Sequence, residues 1–89
     1  MEKTIKIKNK LGLHARAAAL FVQTTNKYES EIFVKIKGEQ RKVNGKSIMG
    51  MMMLAVTCGK EIIIETVGKD EEVLLGELTI LIENKFGEE

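Results

Sequence analysis

His14, the only histidine, stands in Gly12-Leu13-His14-Ala15-Arg16-Ala17-Ala18, where a loop gives way to a helical pattern. A helix start leaves backbone N–H groups without intrahelical acceptors and carries the positive end of the helix dipole, so it attracts anions. Arg16 adds a guanidinium fork that matches phosphate oxygens. A neutral imidazole is a competent nucleophile near neutral pH. His14 as acceptor, the amides of Ala15 and Ala17 as a phosphate seat and Arg16 as counter-charge would together serve phosphoryl chemistry. The plainer role of a lone surface histidine is to help end a strand. The sequence has no P-loop and no kinase signature, so ATP is not expected to bind through either. One histidine does not make a hydrolase, which also needs a positioned base or a metal. Receiving a phosphoryl group from one protein and passing it to another needs less machinery.

A second chemical group is Ser47, placed to cap a short apolar helix beginning at Ile48, a role worth typically ~1 kcal/mol against alanine. A phosphate on this hydroxyl would lie at a helix N-terminus, where negative charge is favoured. Four of the five methionines follow, in Ile48-Met49-Gly50-Met51-Met52-Met53-Leu54. Such a run is apolar on too many faces for one buried stripe. Helical spacing groups Met51, Leu54 and Ala55 on one face and Ile48 and Met52 on another, with Met49 beside them. If the first set packs inward, the second is exposed, and flexible methionines suit a surface that meets several partners.

These residues need elements to hold them. Thr4 to Lys8 alternates as a half-buried strand with Ile5 and Ile7 on one face. Ala18, Phe21, Val22, Thr25 and Tyr28 form the stripe of a helix from about Ala15 to Tyr28. Ile32, Val34 and Ile36 mark a second strand, and Gly38-Glu39 a hairpin onto a third, Gln40 to Val43. The Ser47-capped helix runs from Ile48 to Val56, and Glu61 to Val67 is a β-branched fourth strand. Leu74, Leu75, Leu78, Leu81 and Ile82 repeat as a final helix of about four turns. The order β-α-β-β-α-β-α, with strands too alternating for a sheet covered on both sides, predicts an α+β two-layer open-faced sandwich.

The 89 residues allow one domain, 1–89, and no second. With 14 Lys and Arg against 13 Asp and Glu, a net charge of +1 gives no broad footprint for nucleic acid or an anionic membrane. One Cys (Cys58, expected as a small packed residue) and one His cannot build a four-ligand zinc site, so no metal or other cofactor is expected. No stretch is apolar enough to insert in a membrane, and Met1-Glu2-Lys3-Thr4 opens no signal peptide, so a cytoplasmic monomer is expected. The Gly87-Glu88-Glu89 tail reads as solvated charge.

Gly12-Leu13-His14-Ala15-Arg16 together with Lys46-Ser47-Ile48-Met49-Gly50 resembles the HPr family, the histidine phosphocarriers of the bacterial phosphoenolpyruvate:sugar phosphotransferase system. The resemblance spans essentially the whole chain. It implies a four-stranded antiparallel sheet of order 1-4-2-3 with three helices on one face. It further implies that His14 accepts phosphate on Nδ1 from phospho-Enzyme I and donates it to A-type sugar permease subunits, as a carrier and not an enzyme. Partners would dock through the first two helices, with Leu20 and Gln23 joining Ile48, Met49 and Met52. In the branch with this serine motif, an HPr kinase/phosphorylase modifies the serine and promotes binding to a LacI-type catabolite repressor, a role for Ser47. The family normally has proline directly after the motif arginine, where this chain has Ala17; alanine, the best helix former, preserves the helix. Alternatives are a carrier of the nitrogen-related phosphotransfer branch, which Asn9-Lys10-Leu11-Gly12 resembles, and a regulatory binding module that does not use His14. A small-molecule-sensing α+β domain rests on size and fold class alone.

Overall fold

The computed structural model describes residues 1–88. Their order is β1 (Glu2–Lys6), α1 (Ala15–Thr25), β2 (Glu31–Ile36), β3 (Val43–Asn44), α2 (Ile48–Met53), β4 (Glu61–Val67) and α3 (Glu71–Glu83), followed by a 3-10 turn at Lys85–Gly87. The four strands form one antiparallel sheet in the order β1-β4-β2-β3, as the family resemblance implied. Alternation decides which face is covered. Ile5, Ile32, Val34, Ile36, Ile62 and Ile64 point inward and are buried, while Phe33, Lys35, Ile63 and Glu65 on the other face stay partly exposed. Phe21 and Val22 of α1, Met51 of α2, and Leu74, Leu75, Leu78 and Ile82 of α3 close the core against the inward face.

Several boundaries differ from the periodicity, each for a local reason. β1 ends at Lys6, but Ile7 keeps its place by donating to the Lys60 carbonyl (2.9 Å) and accepting from the Gly59 amide (2.8 Å). α1 stops at Thr25, whose hydroxyl bonds the carbonyls of Val22 (3.0 Å) and Gly45 (2.8 Å), so Tyr28 packs on the core from the following turn. β3 is two residues long, Val43 and Asn44, because Gln40, Arg41 and Lys42 are exposed and offer the core nothing. α2 is six residues long and does not reach Val56. Ala55 instead takes a left-handed conformation (φ 51°), which turns it to solvent and returns Val56 to the core. Ala55 therefore does not share the inner face expected of it, whereas Met51 and Leu54 do. Cys58 is exposed, with its thiol 3.5 Å from the Lys8 carbonyl.

α3 is joined to the loop before β2 by a carboxylate. Asp70 accepts from the amides of Glu29 (3.0 Å) and Ser30 (2.9 Å) and from the Ser30 hydroxyl. The hydroxyl bond is the main cause, with the Glu29 amide next, holding the Asp70 carboxyl below its ordinary range. Gly68 allows the approach, since a Cβ there would lie 2.6 Å from the Ser30 hydroxyl oxygen.

The split of the methionines gives a direct check. Met51 is fully buried and Met49 is 74% exposed. Met51→Ala should cost about 2–5 kcal/mol of unfolding free energy through lost contacts and a residual cavity. Met49→Ala should stay within about 0.5 kcal/mol of the parent. Urea denaturation of both variants checks the assignment; equal losses would mean that α2 presents a different face to the sheet.

Candidate functional site

The site begins with a turn that only glycine can make. Gly12 has φ 69°, and a Cβ there would lie 2.3 Å from the Val56 carbonyl oxygen. The same carbonyl accepts from the Leu13 amide (2.9 Å), which fixes the buried Leu13 and delivers His14 to the start of α1. Asn9 closes the turn from within: fully buried, it donates through Nδ2 to the Gly12 carbonyl at 2.7 Å.

His14 is the N-cap of α1, with extended backbone (φ −76°, ψ −179°) and its Nδ1 accepting from the Arg16 amide at 3.3 Å. An imidazole nitrogen here does what a serine or aspartate oxygen does at other helix starts. A nitrogen that accepts carries a lone pair, so in the neutral ring the hydrogen is on Nε2.

Nε2 meets a carboxylate from the other end of the sequence. After α3, the buried Phe86 anchors the chain and brings Glu88 back over the loop. Glu88 Oε2 contacts His14 Nε2 and accepts from Arg16 Nη2 (3.0 Å) and Nε (3.3 Å), while Oε1 accepts from Asn9 Nδ2 (2.9 Å). Its side chain is only 7% exposed. The Asn9 amide, then the His14 and Arg16 contacts, hold the Glu88 carboxyl down at about 2, against the opposing push of burial. The tail residue expected as solvated charge is thus part of the site, because three donors replace the water it loses. Asn9 and Glu88 are the site residues that sequence reasoning missed. No local pattern links positions 9, 14 and 88; the only hint was a polar Asn9 continuing the apolar alternation of Ile5 and Ile7.

Arg16 is largely exposed and Ala15 is exposed, so the helix start is open to an anion beside Nδ1. Ala17 has no exposed surface. The amide contact expected of Ala17 is therefore closed in this conformation, and the Arg16 amide, aimed at Nδ1, occupies the equivalent place. The Ala17 methyl is instead part of the core, which is what an alanine in the family's proline position provides here.

The second group lies on α2, which packs against α1. Ser47 is its cap, its hydroxyl accepting from the Gly50 amide at 3.1 Å. Ile48, Met49 and Met52 are exposed as the spacing predicts, and Met53 with them. Gln23 of α1 is exposed as well. Leu20 is half-buried against the core and lines a groove with Thr24, Ile80, Leu81 and Phe86, so its free side faces α3. Among the described residues, no helix is long and apolar enough to cross a membrane.

The Glu88 contacts have a pH signature. A carboxyl lowered from 4.5 in the unfolded chain to about 2 favours the folded contact above the higher value. That contribution shrinks as the pH falls below about 4.5 and is gone below about 2. Titration of the Glu88 carboxyl carbon by NMR should give a midpoint near 2. A midpoint at the ordinary glutamate value would mean that the carboxylate is free of His14, Arg16 and Asn9.

Comparison with known proteins shows the family to which the chain belongs. A family model described as the PTS HPr component phosphorylation site matches residues 1–84. The phosphocarrier protein HPr of Neisseria meningitidis is 51% identical over 88 residues, covering 99% of this chain and 97% of the relative. An HPr-like protein, Crh, of Halalkalibacterium halodurans is 47% identical over 85 residues, covering 96% and 99%. The crystal structure of an HPr from Thermoanaerobacter tengcongensis superposes with a TM-score of 0.93 at 54% identity, over 100% of this chain and 98% of the other. With matching sequence, strand order and helix positions, the chain belongs to the HPr family of phosphocarrier proteins.

Proposed function

We propose that His14 is the phosphoryl acceptor of this phosphocarrier, taking the group on Nδ1 from phospho-Enzyme I and passing it to A-type sugar permease subunits. The observation that carries this reading is the orientation of the ring, with Nδ1 turned toward the Arg16 amide and Nε2 engaged by Glu88. The Nδ1 lone pair attacks phosphorus, the bond from phosphorus to the donor's nucleophile breaks, and that electron pair returns to the donor. The Nε2 hydrogen stays where it is. The Arg16 amide and guanidinium then face the phosphoryl oxygens. Transfer to the next protein is the same step reversed. The chain acts as a substrate of its partners, in the cytoplasm and as a monomer whose core is closed by one copy.

Partners dock on the exposed side chains of α2, Ile48, Met49 and Met52, with Gln23 extending the surface along α1 and Leu20 reached only across α1, since its free side faces α3. Ser47 sits at the rim of this patch. Its modification by an HPr kinase/phosphorylase, which would promote binding to a LacI-type repressor, would add a charge of roughly −1.5 to −2 there, repelling partners that present acidic groups and favouring those that present Arg or Lys.

Incubation with phosphoenolpyruvate and Enzyme I, followed by mass measurement, tests the acceptor. The parent should gain one acid-labile phosphoryl group and His14→Ala none. Arg16→Ala should still accept, at a rate lower by about tenfold to a hundredfold, the equivalent of one charge-assisted hydrogen bond. Acid-labile labelling of His14→Ala would overturn the assignment, and an unlabelled parent would favour a binding module that does not use the histidine.

The docking face has its own check. Ile48→Glu should slow phosphorylation of an intact His14 while unfolding stability stays within about 0.5 kcal/mol. Ser47→Asp should slow the same step and leave stability unchanged or slightly raised, since an acidic N-cap is a good one. Parent-like initial rates across Enzyme I concentrations in both variants would place docking elsewhere.

A further inference from the structure

Glu88 is supplied neither by α1 nor by the loop before it, yet among the described residues its side chain touches three members of the site, Asn9, His14 and Arg16. Its Oε2 faces His14 Nε2 and is shared with Arg16, and its Oε1 is tied to Asn9, which is itself tied to the Gly12 carbonyl. We propose that Glu88 is a positioning residue for phosphoryl acceptance: by taking the hydrogen bond from Nε2–H it keeps the proton off Nδ1 and fixes the plane of the ring. This inference rests on the reading of His14 as acceptor at Nδ1.

Two contacts at opposite ends of the ring demand the same proton placement. The Arg16 amide is a donor, so Nδ1 must offer a lone pair; the carboxylate is an acceptor, so Nε2 must offer a hydrogen. The other neutral tautomer would set two N–H groups against each other at Arg16 and a lone pair against the carboxylate. It would also leave Nδ1 with no electrons to give. A free imidazole exchanges between the two forms, and a carboxylate on one nitrogen is a general means of selecting one of them.

The carboxylate has a second consequence as the bond forms. When the Nδ1 lone pair joins phosphorus, positive charge develops on the ring, and Glu88 lies against the nitrogen that shares it. The proton remains on Nε2 throughout, so Glu88 neither gains nor loses one. Glu88 is itself held in place. The Asn9 amide fixes one oxygen from a buried position, and the buried Phe86 fixes the chain that carries it. Arg16 reaches the carboxylate through Nε and Nη2 along one edge of a mostly exposed guanidinium.

Glu88→Gln, Glu88→Asp and Glu88→Ala test the role by two readouts. The first is the tautomer of His14, from ring nitrogen and carbon shifts of the unphosphorylated protein at about pH 9, where free imidazole is neutral. The parent should show the Nε2–H form alone, and Glu88→Ala a mixture containing Nδ1–H. The second is the initial rate of phosphoryl acceptance from Enzyme I. It should fall by about tenfold or more in Glu88→Ala and Glu88→Gln, the equivalent of losing one hydrogen bond to a charged group. Glu88→Asp should recover part of it. A parent tautomer or a parent rate in both Glu88→Ala and Glu88→Gln, with folding confirmed by thermal melts, overturns the positioning role. A slower rate with an unchanged tautomer also overturns it, since Glu88 would then act through Arg16 alone. An unlabelled parent is a different result: it removes His14 as acceptor, and this role with it.

Discussion

The Nδ1 lone pair of His14 has two claims on it, and the rest of the site follows from how they are met. As the cap of α1 it accepts from the Arg16 amide; in the proposed role of phosphoryl acceptor it would have to be free to bond phosphorus. The 3.3 Å length of the capping bond makes the claims compatible. A hydrogen bond that long is weak, and its loss costs the helix little beyond a cap worth about 1 kcal/mol. What is given up is also returned, because an amide that pointed at the nitrogen is already aimed at the oxygens of a phosphoryl group on it. On the proposed role of His14, the helix start capped by the resting ring would be capped by phosphate after transfer.

Electrostatic balance decides whether such a site holds its cargo or releases it. Arg16 and the helix dipole attract the phosphoryl group, the dipole by about 0.3–1 kcal/mol at an exposed terminus. Glu88 already occupies part of the Arg16 guanidinium and carries like charge, so an arriving phosphoryl group meets attraction and repulsion together. A fully compensated anion site would bind phosphate and keep it. A carrier passes the group on at every turnover, and with His14 as the proposed acceptor the carboxylate beside the arginine would oppose such a trap. The same carboxylate favours the cationic character of the reacting ring, so its cost falls on the oxygens while its benefit falls on the nitrogen.

What was legible in the sequence was local. His14 at a helix start, Arg16 two residues later and Ser47 before an apolar run are each fixed by neighbours within one helical turn, and the structure has them as spacing and capping require. The strand faces were equally plain, because alternation at Ile5, Ile32, Val34, Ile62 and Ile64 admits one inward side. Legibility failed where partners are remote. Glu88 read as a solvated charge because the groups that bind it are not its sequence neighbours; its three partners lie 72 or more residues away. Asp70 is a similar case, a residue at a helix start whose carboxylate turns to Glu29 and Ser30 instead of capping its own helix. Chain direction was misjudged at Ala55, where helical spacing continues but the backbone does not, since Val56 must return to the core.

The division of labour between the two helices has a physical basis in what each task tolerates. Phosphoryl transfer needs a ring held within a fraction of an ångström, so His14 is surrounded by groups that are themselves tied down: a glycine turn, a buried asparagine and a carboxylate locked by three donors. Recognition of several partners needs the opposite. Ile48, Met49 and Met52 stand on six residues of helix whose single fully buried side chain, Met51, anchors it. Unbranched methionines repack against different surfaces at little cost, and an apolar contact carries no directional demand that one partner meets and another fails. Were the same polar network to serve for docking, every partner would have to present matching donors and acceptors, and any mismatch would leave a buried polar group unpaired at about 1–3 kcal/mol. With His14 as the proposed acceptor and α2 as the proposed docking face, precision on α1 and tolerance on α2 would let one carrier meet both a donor and its acceptors without altering the geometry at Nδ1.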